Sequence, residues 1–239
     1  MRICGIQKLS MVDYPEKLAA TIFTGGCNLR CPYCHNAPLV IQTEHAPMLT
    51  EEEILDFLAT RKGFLDGVVV TGGEPLLHPD TAQLLKHIRE LGFLVKLDTN
   101  GCYPDALSNI LQLGLVDYVA MDIKNCPQKY AQTIGIQNFS INPIEKSIRL
   151  LLEHTVEFEF RTTIVRELHT ADDLRAIGAW IQELGRDLPV KPIFSYYLQQ
   201  FVDSGNLIGN NCHALKPLEL QGLADVARSF FDAVFVRGV

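Results

Sequence analysis

Short apolar runs alternate with amphipathic stretches along this 239-residue chain, and this alternation constrains the fold more than any other feature. The apolar runs are rich in β-branched and aromatic residues, and we predict six strands at residues 19–24, 68–71, 94–98, 118–123, 156–164 and 193–198. The amphipathic stretches predict helices at residues 51–62, 81–91, 105–113, 143–154, 172–184 and 218–231. Strands that alternate with helices predict a parallel sheet built from right-handed crossovers.

The length of the chain favours one form of this architecture. A closed (β/α)8 barrel typically needs about 250 residues and eight repeats, whereas six strands are predicted here. We expect an α/β fold of the TIM-like type, an open, partial (β/α)6 barrel, with an open doubly wound sheet as the competing architecture. One domain is expected over residues 1–239, with a core at about 17–200 and a helical C-terminal segment at about 201–239.

Polar and glycine-rich residues stand where the predicted strands end. Gly25, Gly26 and Cys27 follow the first strand, and similar residues follow or end the others, at 72–75, 98–101, 122–124, 161 and 196–199. The carboxyl ends of parallel strands meet at one edge of a sheet, which is where α/β proteins bind their ligands. The sequence therefore predicts a ligand site at this edge.

Three of the seven cysteines fall within eight residues, as Cys27, Cys31 and Cys34. Thiolates this close can share a metal ion or an iron–sulfur cluster, although both usually take four protein ligands. A structural zinc site would need His35 as its fourth ligand. His35 directly follows Cys34, and adjacent residues rarely bind the same ion. An iron–sulfur cluster on three cysteines would keep one iron open for a small molecule, and packed buried thiols are the remaining alternative. Cys4, Cys102, Cys126 and Cys212 are expected as scattered single thiols.

Charge and targeting signals restrict the class of protein further. The chain has 21 basic and 28 acidic residues and a net charge of −7, which disfavours a nucleic-acid partner. No apolar run approaches the about 18 residues that suggest a membrane span. Lys8 and Asp13 interrupt the N-terminal segment where a secretory signal would need an apolar core. We therefore expect a cytoplasmic protein without a membrane partner.

The spacing C-x3-C-x-aromatic-C after the first strand, with Tyr33 as the aromatic residue, resembles the signature of radical S-adenosylmethionine enzymes. The strand-end motifs TGGEP at 71–75, DTNG at 98–101 and DIK at 122–124 resemble those of glycyl-radical-enzyme activases. The opening SMVDYP at 10–15, with FTGGC at 23–27 and CHN at 34–36, is similar to the longer activating proteins of anaerobic ribonucleoside-triphosphate reductases. The resemblance is strong over residues 1–125 and weak beyond about residue 165.

This resemblance implies a radical S-adenosylmethionine core and a mechanism. Cys27, Cys31 and Cys34 would hold a [4Fe–4S] cluster whose open iron binds S-adenosylmethionine. Reductive cleavage would give a 5′-deoxyadenosyl radical, which abstracts a hydrogen atom from a glycine of a partner enzyme. The implied partner is a glycyl-radical enzyme, with anaerobic ribonucleoside-triphosphate reductase as the first choice. The implied electron donor is a low-potential protein such as flavodoxin or ferredoxin.

The resemblance also implies further site residues, which we expect to bind the cofactor. They are Tyr33, Asn36, Gly72, Gly73, Glu74, Asp98, Asn100, Lys124, Arg161 and Tyr197. A monovalent cation is implied on Asp98, Thr99 and Asp122.

Each of these motifs also has a plainer interpretation. The GGEP and DTNG segments are typical of turns, and Asp122 with Lys124 is typical of a simple ion pair. Arg161 is as well suited to a salt bridge with Glu157 or Glu159 on its own strand.

Other functions stay open beside activation of the reductase. One alternative is an activase of pyruvate formate-lyase or another glycyl-radical enzyme. Another is a small-molecule radical reaction such as 7-carboxy-7-deazaguanine formation. The last is a non-catalytic iron–sulfur electron-transfer module.

Overall fold

A computed structural model describes residues 1–41, 48–189 and 192–238. Its strands are β1 (Ile3–Ser10), β2 (Ala19–Thr24), β3 (Gly67–Gly72), β4 (Leu94–Thr99), β5 (Tyr118–Asp122), β6 (Glu157–Ile164), β7 (Ser195–Gln200) and β8 (Ala233–Arg237). Its helices are α1 (Ala37–Ile41), α2 (Glu51–Ala59), α3 (Thr81–Glu90), α4 (Pro104–Gln112), α5 (Pro127–Thr133), α6 (Asn142–Glu153), α7 (Ala171–Leu184) and α8 (Pro217–Ala227). A short 3-10 helix covers Pro75–Leu77.

The eight strands follow one another in the sheet in the order of the chain. β1 pairs antiparallel with β2, whereas β2 with β3, β3 with β4, β6 with β7 and β7 with β8 are parallel pairs. A doubly wound sheet would show a reversal of strand order at a switch point. That competing architecture is therefore wrong, and the repeated strand–helix order of a partial barrel is present.

All six predicted strands are found, and two strands were not predicted. β1 was missed because Gln7 and Lys8 break its apolar pattern, and both side chains are exposed. β8 was missed because the last predicted helix extended to residue 231, whereas α8 ends at Ala227. The C-terminal segment, expected to be helical, thus contains one helix and one strand.

Two compact units make up the chain. The first comprises Met1–Asn28, Pro38–Thr99 and Asp105–Ala120, and the second comprises Leu29–Ala37, Asn100–Pro104 and Met121–Val239. In the first unit, a buried cluster of Tyr14, Ala19, Val69 and Tyr118 packs against Leu94. In the second unit, an aromatic cluster joins the strands β6 and β7 to the segment after α8, through the rings of Phe158, Phe160, Phe194, Tyr196 and Phe231.

Helix starts follow the local signals in the sequence. Thr50 and Glu53 form a reciprocal capping box at the start of α2, as their spacing predicts. Thr170 and Asp173 form the same device at the start of α7, so that the carboxylate of Asp173 is tied to the helix end. Among the described residues, no helix has both the length and the apolar character needed to cross a bilayer.

Candidate active site

The cysteine loop begins directly after β2. Cys31 is buried, whereas Cys27 and Cys34 are partly exposed. The loop is anchored in the second unit by two backbone hydrogen bonds, from the Arg30 amide to the Ile134 carbonyl at 3.0 Å and from the Gly209 amide to the Pro32 carbonyl at 2.8 Å. Burial raises the pKa of the Cys34 thiol. A positively charged group bound at this loop would counter that effect, because it stabilises the thiolate.

A single metal ion is not favoured by the arrangement of possible ligands. Within the residues that the structure describes, no group of three or more His, Cys, Asp or Glu side chains could hold a metal ion. A [4Fe–4S] cluster imposes a different geometry, since each cysteine binds a separate iron atom. Three thiols on one loop suit an iron–sulfur cluster, because cysteine thiolates are the usual ligands of such clusters.

The end of β3 is pressed against the end of β2 in the first unit. The Gly73 amide donates to the Thr24 carbonyl, and the Glu74 amide donates to the Gly26 carbonyl, both at 2.9 Å. A Cβ atom on Gly73 would lie 1.9 Å from the Gly26 oxygen. Gly72 has φ +126, which other residues rarely adopt. These glycines are thus required for contact with the chain's own backbone just before Cys27.

The Glu74 carboxylate is wholly buried beneath this turn. Its Oε1 atom accepts hydrogen bonds from the Leu76 amide at 3.0 Å and from the Thr99 hydroxyl at 2.8 Å. These contacts begin the 3-10 helix and connect the ends of β3 and β4. The plain interpretation of GGEP as a turn is therefore correct as far as local structure goes, and a role in ligand binding stays a prediction.

At the end of β4, Asp98 forms an ion pair that the sequence did not suggest. The Lys96 ammonium lies 2.5 Å from Asp98 Oδ1, and Lys96 is buried within the strand. The next residue of the motif, Asn100, accepts a hydrogen bond from the Cys102 amide at 3.0 Å, which is the turn expected of its sequence.

A triad of charges lies where β5 and β6 meet in the second unit. Asp122 Oδ1 is 2.6 Å from Arg161 Nε, and Asp122 Oδ2 is 2.8 Å from Lys124 Nζ. Burial alone would raise the pKa of Asp122, but the charges of Arg161 and Lys124 outweigh it and hold that pKa well below its usual range. Burial would likewise lower the pKa of Lys124, yet Asp122 holds it well above its usual range. All three groups therefore stay ionised at neutral pH.

Tyr33 belongs to the cysteine loop, between Cys31 and Cys34, and has 3% of its surface exposed. Its hydroxyl is buried and has no hydrogen-bond partner in the described part of the chain. Burial is the main reason that its pKa is raised well above the usual value, so the hydroxyl remains a donor. A buried donor without an acceptor is costly, which favours a ligand that would complete it.

His169 is a site neighbour that sequence reasoning missed. Its ring meets Tyr33 edge-on, with centroids 6.4 Å apart. Its Nδ1 atom accepts from the Val165 amide at 3.1 Å, and its Nε2 atom, which then carries the proton, donates to the Lys124 carbonyl at 2.8 Å. Burial lowers the pKa of His169, in agreement with a neutral ring. The sequence signal that could have identified His169 was its position shortly after the end of β6.

Tyr197, expected to contact the cofactor, is part of a stacked set at β7 and β8. Its ring stacks on Phe235, and the Arg237 guanidinium lies 3.5 Å from its centroid. Arg237 also pairs with both carboxylate oxygens of the fully buried Glu159, at 2.7 and 3.0 Å. Asn36, the remaining expected residue, is partly buried next to the cysteine loop.

These features define an α/β protein with a thiol-bearing loop, a buried carboxylate and a fixed charge triad at strand ends. Strand ends that carry such residues are typical of enzymes that bind a cofactor and a small molecule. The model of the radical SAM superfamily matches residues 21–177. The chain belongs to this superfamily and is a radical SAM enzyme, and membership implies a [4Fe–4S] cluster and S-adenosylmethionine.

Three similar proteins illustrate the match. The "Putative glycyl-radical enzyme activating enzyme MJ1227" of Methanocaldococcus jannaschii is 35% identical over 246 residues, covering 99% of this chain and 96% of that protein. The pyruvate formate-lyase-activating enzyme of Clostridium pasteurianum is 36% identical over 129 residues, 52% of each chain. The structure of Streptococcus suis SuiB bound to S-adenosylmethionine has a TM-score of 0.70 at 12% identity, covering 90% of this chain and 49% of SuiB. The last match confirms the fold class.

Proposed function

We propose that this enzyme is an activase that installs a glycyl radical on a partner enzyme. The observation that carries the proposal is the 35% identity along 99% of the chain to a protein described as a glycyl-radical enzyme activating enzyme. The partial match to a pyruvate formate-lyase-activating enzyme supports the same class of reaction.

The residues of the site fit the cofactors that the family implies. Cys27, Cys31 and Cys34 would hold the cluster, because their loop offers three thiols and no nearby fourth cysteine. The buried hydroxyl of Tyr33, a residue of the same loop, offers an unused donor. When bound, the cluster and S-adenosylmethionine supply a one-electron reductive cleavage that yields a 5′-deoxyadenosyl radical.

The charge triad would bind and orient the anionic end of S-adenosylmethionine. Arg161 and Lys124 are cationic groups of the kind that bind a carboxylate. Asp122 fixes both by direct contacts, so little side-chain entropy remains to be lost when the cofactor binds. His169 would keep the Lys124 backbone in place. Gly72, Gly73, Glu74, Asp98, Asn100, Asn36 and Tyr197 remain proposed cofactor neighbours.

Anaerobic ribonucleoside-triphosphate reductase is our first choice of partner, with flavodoxin or ferredoxin as the electron donor. The choice of the reductase as partner depends on the sequence motif at residues 10–15. In the structure, two residues of this motif make contacts within the first unit, and these contacts do not indicate which partner is bound. The Ser10 hydroxyl accepts from the amides of Val12 and Asp13, and Tyr14 is buried in the first unit. Pyruvate formate-lyase therefore remains the second candidate, supported by the Clostridium pasteurianum match.

The test uses the cluster-loaded protein, S-adenosylmethionine and a strong reductant under anaerobic conditions. Each candidate partner is added separately, and a glycyl-radical doublet is sought by low-temperature electron paramagnetic resonance. We expect a doublet on the reductase that is lost in Cys31→Ala and kept in Cys212→Ala, a matched control at a cysteine outside the loop. A doublet on pyruvate formate-lyase alone would change the partner. 5′-Deoxyadenosine without a doublet on either protein would exclude both partners and keep the radical chemistry. Neither 5′-deoxyadenosine nor a doublet from the cluster-loaded protein would contradict the proposal and favour the electron-transfer alternative.

A further inference from the structure

Lys96 is a buried lysine that the proposed chemistry does not use. It lies in the middle of β4 with 1% of its surface exposed, between the fully buried Val95 and Leu97. An ammonium group in such a place is costly unless a negative charge compensates for it. Its compensating group is Asp98, with Nζ 2.5 Å from Oδ1. The ring of Tyr118 also lies near this ammonium group, with its centroid 6.0 Å from Nζ.

Asp98 is the residue that the family resemblance predicts as a ligand of a monovalent cation, together with Thr99 and Asp122. In the structure, both carboxylates of this set already have cationic partners. Asp98 is paired with Lys96, and Asp122 is paired with Arg161 and Lys124. The Thr99 hydroxyl donates its hydrogen to Glu74. A further cation would have to compete with these fixed groups, so the residues fit an exchangeable cation poorly.

We propose that Lys96 is a built-in counter-ion that takes the place of the exchangeable monovalent cation in this enzyme. Lys96 is a positioning residue: it neutralises Asp98 and fixes its carboxylate, whose side chain is 13% exposed at the strand end. Binding of S-adenosylmethionine then needs no sodium or potassium. The inference depends on the proposed function only through binding of S-adenosylmethionine.

The test compares binding of S-adenosylmethionine to the cluster-loaded protein in choline, sodium, potassium and ammonium chloride at equal ionic strength, by equilibrium dialysis. A cation that assisted binding would couple to it by a factor of about 5 or more. We expect the wild-type dissociation constant to vary by less than about twofold across the four salts. Lys96→Met should bind about tenfold more weakly in choline and recover in ammonium or potassium, because a free cation can then pair with Asp98.

A second readout needs neither the cluster nor activity. The unfolding midpoint of the cluster-free Lys96→Met protein should rise in ammonium or potassium relative to choline, whereas that of the wild type should not. Lys86→Met removes an exposed lysine and is the matched control. If Lys96→Met does not fold, the double variant Lys96→Met, Asp98→Asn removes both charges and should bind S-adenosylmethionine without any response to the cation.

Two results would overturn the inference. One is saturable strengthening of wild-type binding by sodium or potassium but not by choline. The other is a folded Lys96→Met protein that binds as the wild type does in every salt. Failure to find a glycyl radical on any partner would leave these binding results intact, so the two proposals fail separately.

Discussion

Two ion pairs at the strand ends of this enzyme have members that come from the same strand or from neighbouring strands. Lys96 pairs with Asp98 along β4, and Asp122 pairs with Arg161 across β5 and β6. Breaking such a buried pair is destabilising, because one charge is left without compensation. The residues that orient the proposed site therefore also contribute to stability. For variants at these positions, the free energy of unfolding must be measured as well as cofactor binding.

Asp122→Asn tests the charge triad. We expect the cluster-free protein to lose about 3 kcal/mol of unfolding free energy at pH 7, because Arg161 and Lys124 lose their shared counter-charge. The pKa of Asp122 is depressed by folding, so its contribution is complete above its unfolded pKa of about 3.9 and declines as the pH falls below that value.

Urea titrations between pH 7 and pH 3 check this expectation. The difference between wild type and variant should be constant from pH 7 to about pH 5 and should shrink in more acid solution. Asp172→Asn, at a carboxylate whose side chain is 92% exposed, is the control and should change little. A difference that grew on acidification would contradict the assignment.

His169→Gln tests the buried imidazole. The variant should lose about 2 kcal/mol, since the ring satisfies both the Val165 amide and the Lys124 carbonyl. Folding lowers the pKa of His169, so the unfolded chain binds the extra proton and the wild type loses stability as the pH falls below about 6.5. Urea titrations at pH 8 and pH 5.5 should show a smaller acid loss in the variant. Equal losses in both proteins would count against a neutral buried ring.

At the scale of elements, sequence patterns located most strands and helices and most of the residues at strand ends. The prediction worked where a strand is buried on both faces and where a cap such as Thr50 with Glu53 marks a helix. It missed Lys96 and considered Glu159 only as a partner of Arg161, because a charged residue inside an apolar run indicates exposure until its partner is known. Those partners, Asp98 and Arg237, are fixed by strand pairing and side-chain packing.

Gly73→Ala tests the contact between the ends of β3 and β2. The added methyl group would meet the Gly26 carbonyl, so the turn before Cys27 must shift at a cost of about 3 kcal/mol. We also expect loss of iron after reconstitution, measured per chain. Gly222→Ala is the control, because nothing lies within 4 Å of its Cβ position in α8 and alanine favours helix by about 0.5–1 kcal/mol. Normal iron content in Gly73→Ala would refute this role.

At the scale of the whole molecule, the order of the sheet follows the order of the chain, and the two missed strands are the two at its ends. End strands pair on one side only, so their exposed positions accept polar residues, as Gln7 and Lys8 show in β1. In β8 the residues are mostly apolar, and the strand was missed because the helix before it was predicted to extend to residue 231. The resemblance to a known family was strongest over the strand-end motifs of residues 1–125. The pairing of the last strands was found only in the structure.

Arg237→Met tests whether the terminal strand contributes to the stability of the sheet. Glu159 is fully buried and would lose its bidentate partner, so we expect the unfolding free energy to fall by about 3 kcal/mol. Arg228→Met, on the exposed turn after α8, is the control. Denaturant melts of the cluster-free proteins decide the matter, and equal midpoints for the two variants would contradict the expectation.

In the proposed function, the radical produced by this enzyme takes a hydrogen atom from a glycine of a partner protein. The most direct test is to prepare the reductase with α-deuterated glycine, incubate it with the cluster-loaded enzyme, reductant and S-adenosylmethionine, and measure deuterium in the 5′-deoxyadenosine by mass spectrometry. We predict 5′-deoxyadenosine that carries deuterium only when the labelled partner is present. 5′-Deoxyadenosine formed without deuterium, in the presence of folded labelled partner, would contradict the account.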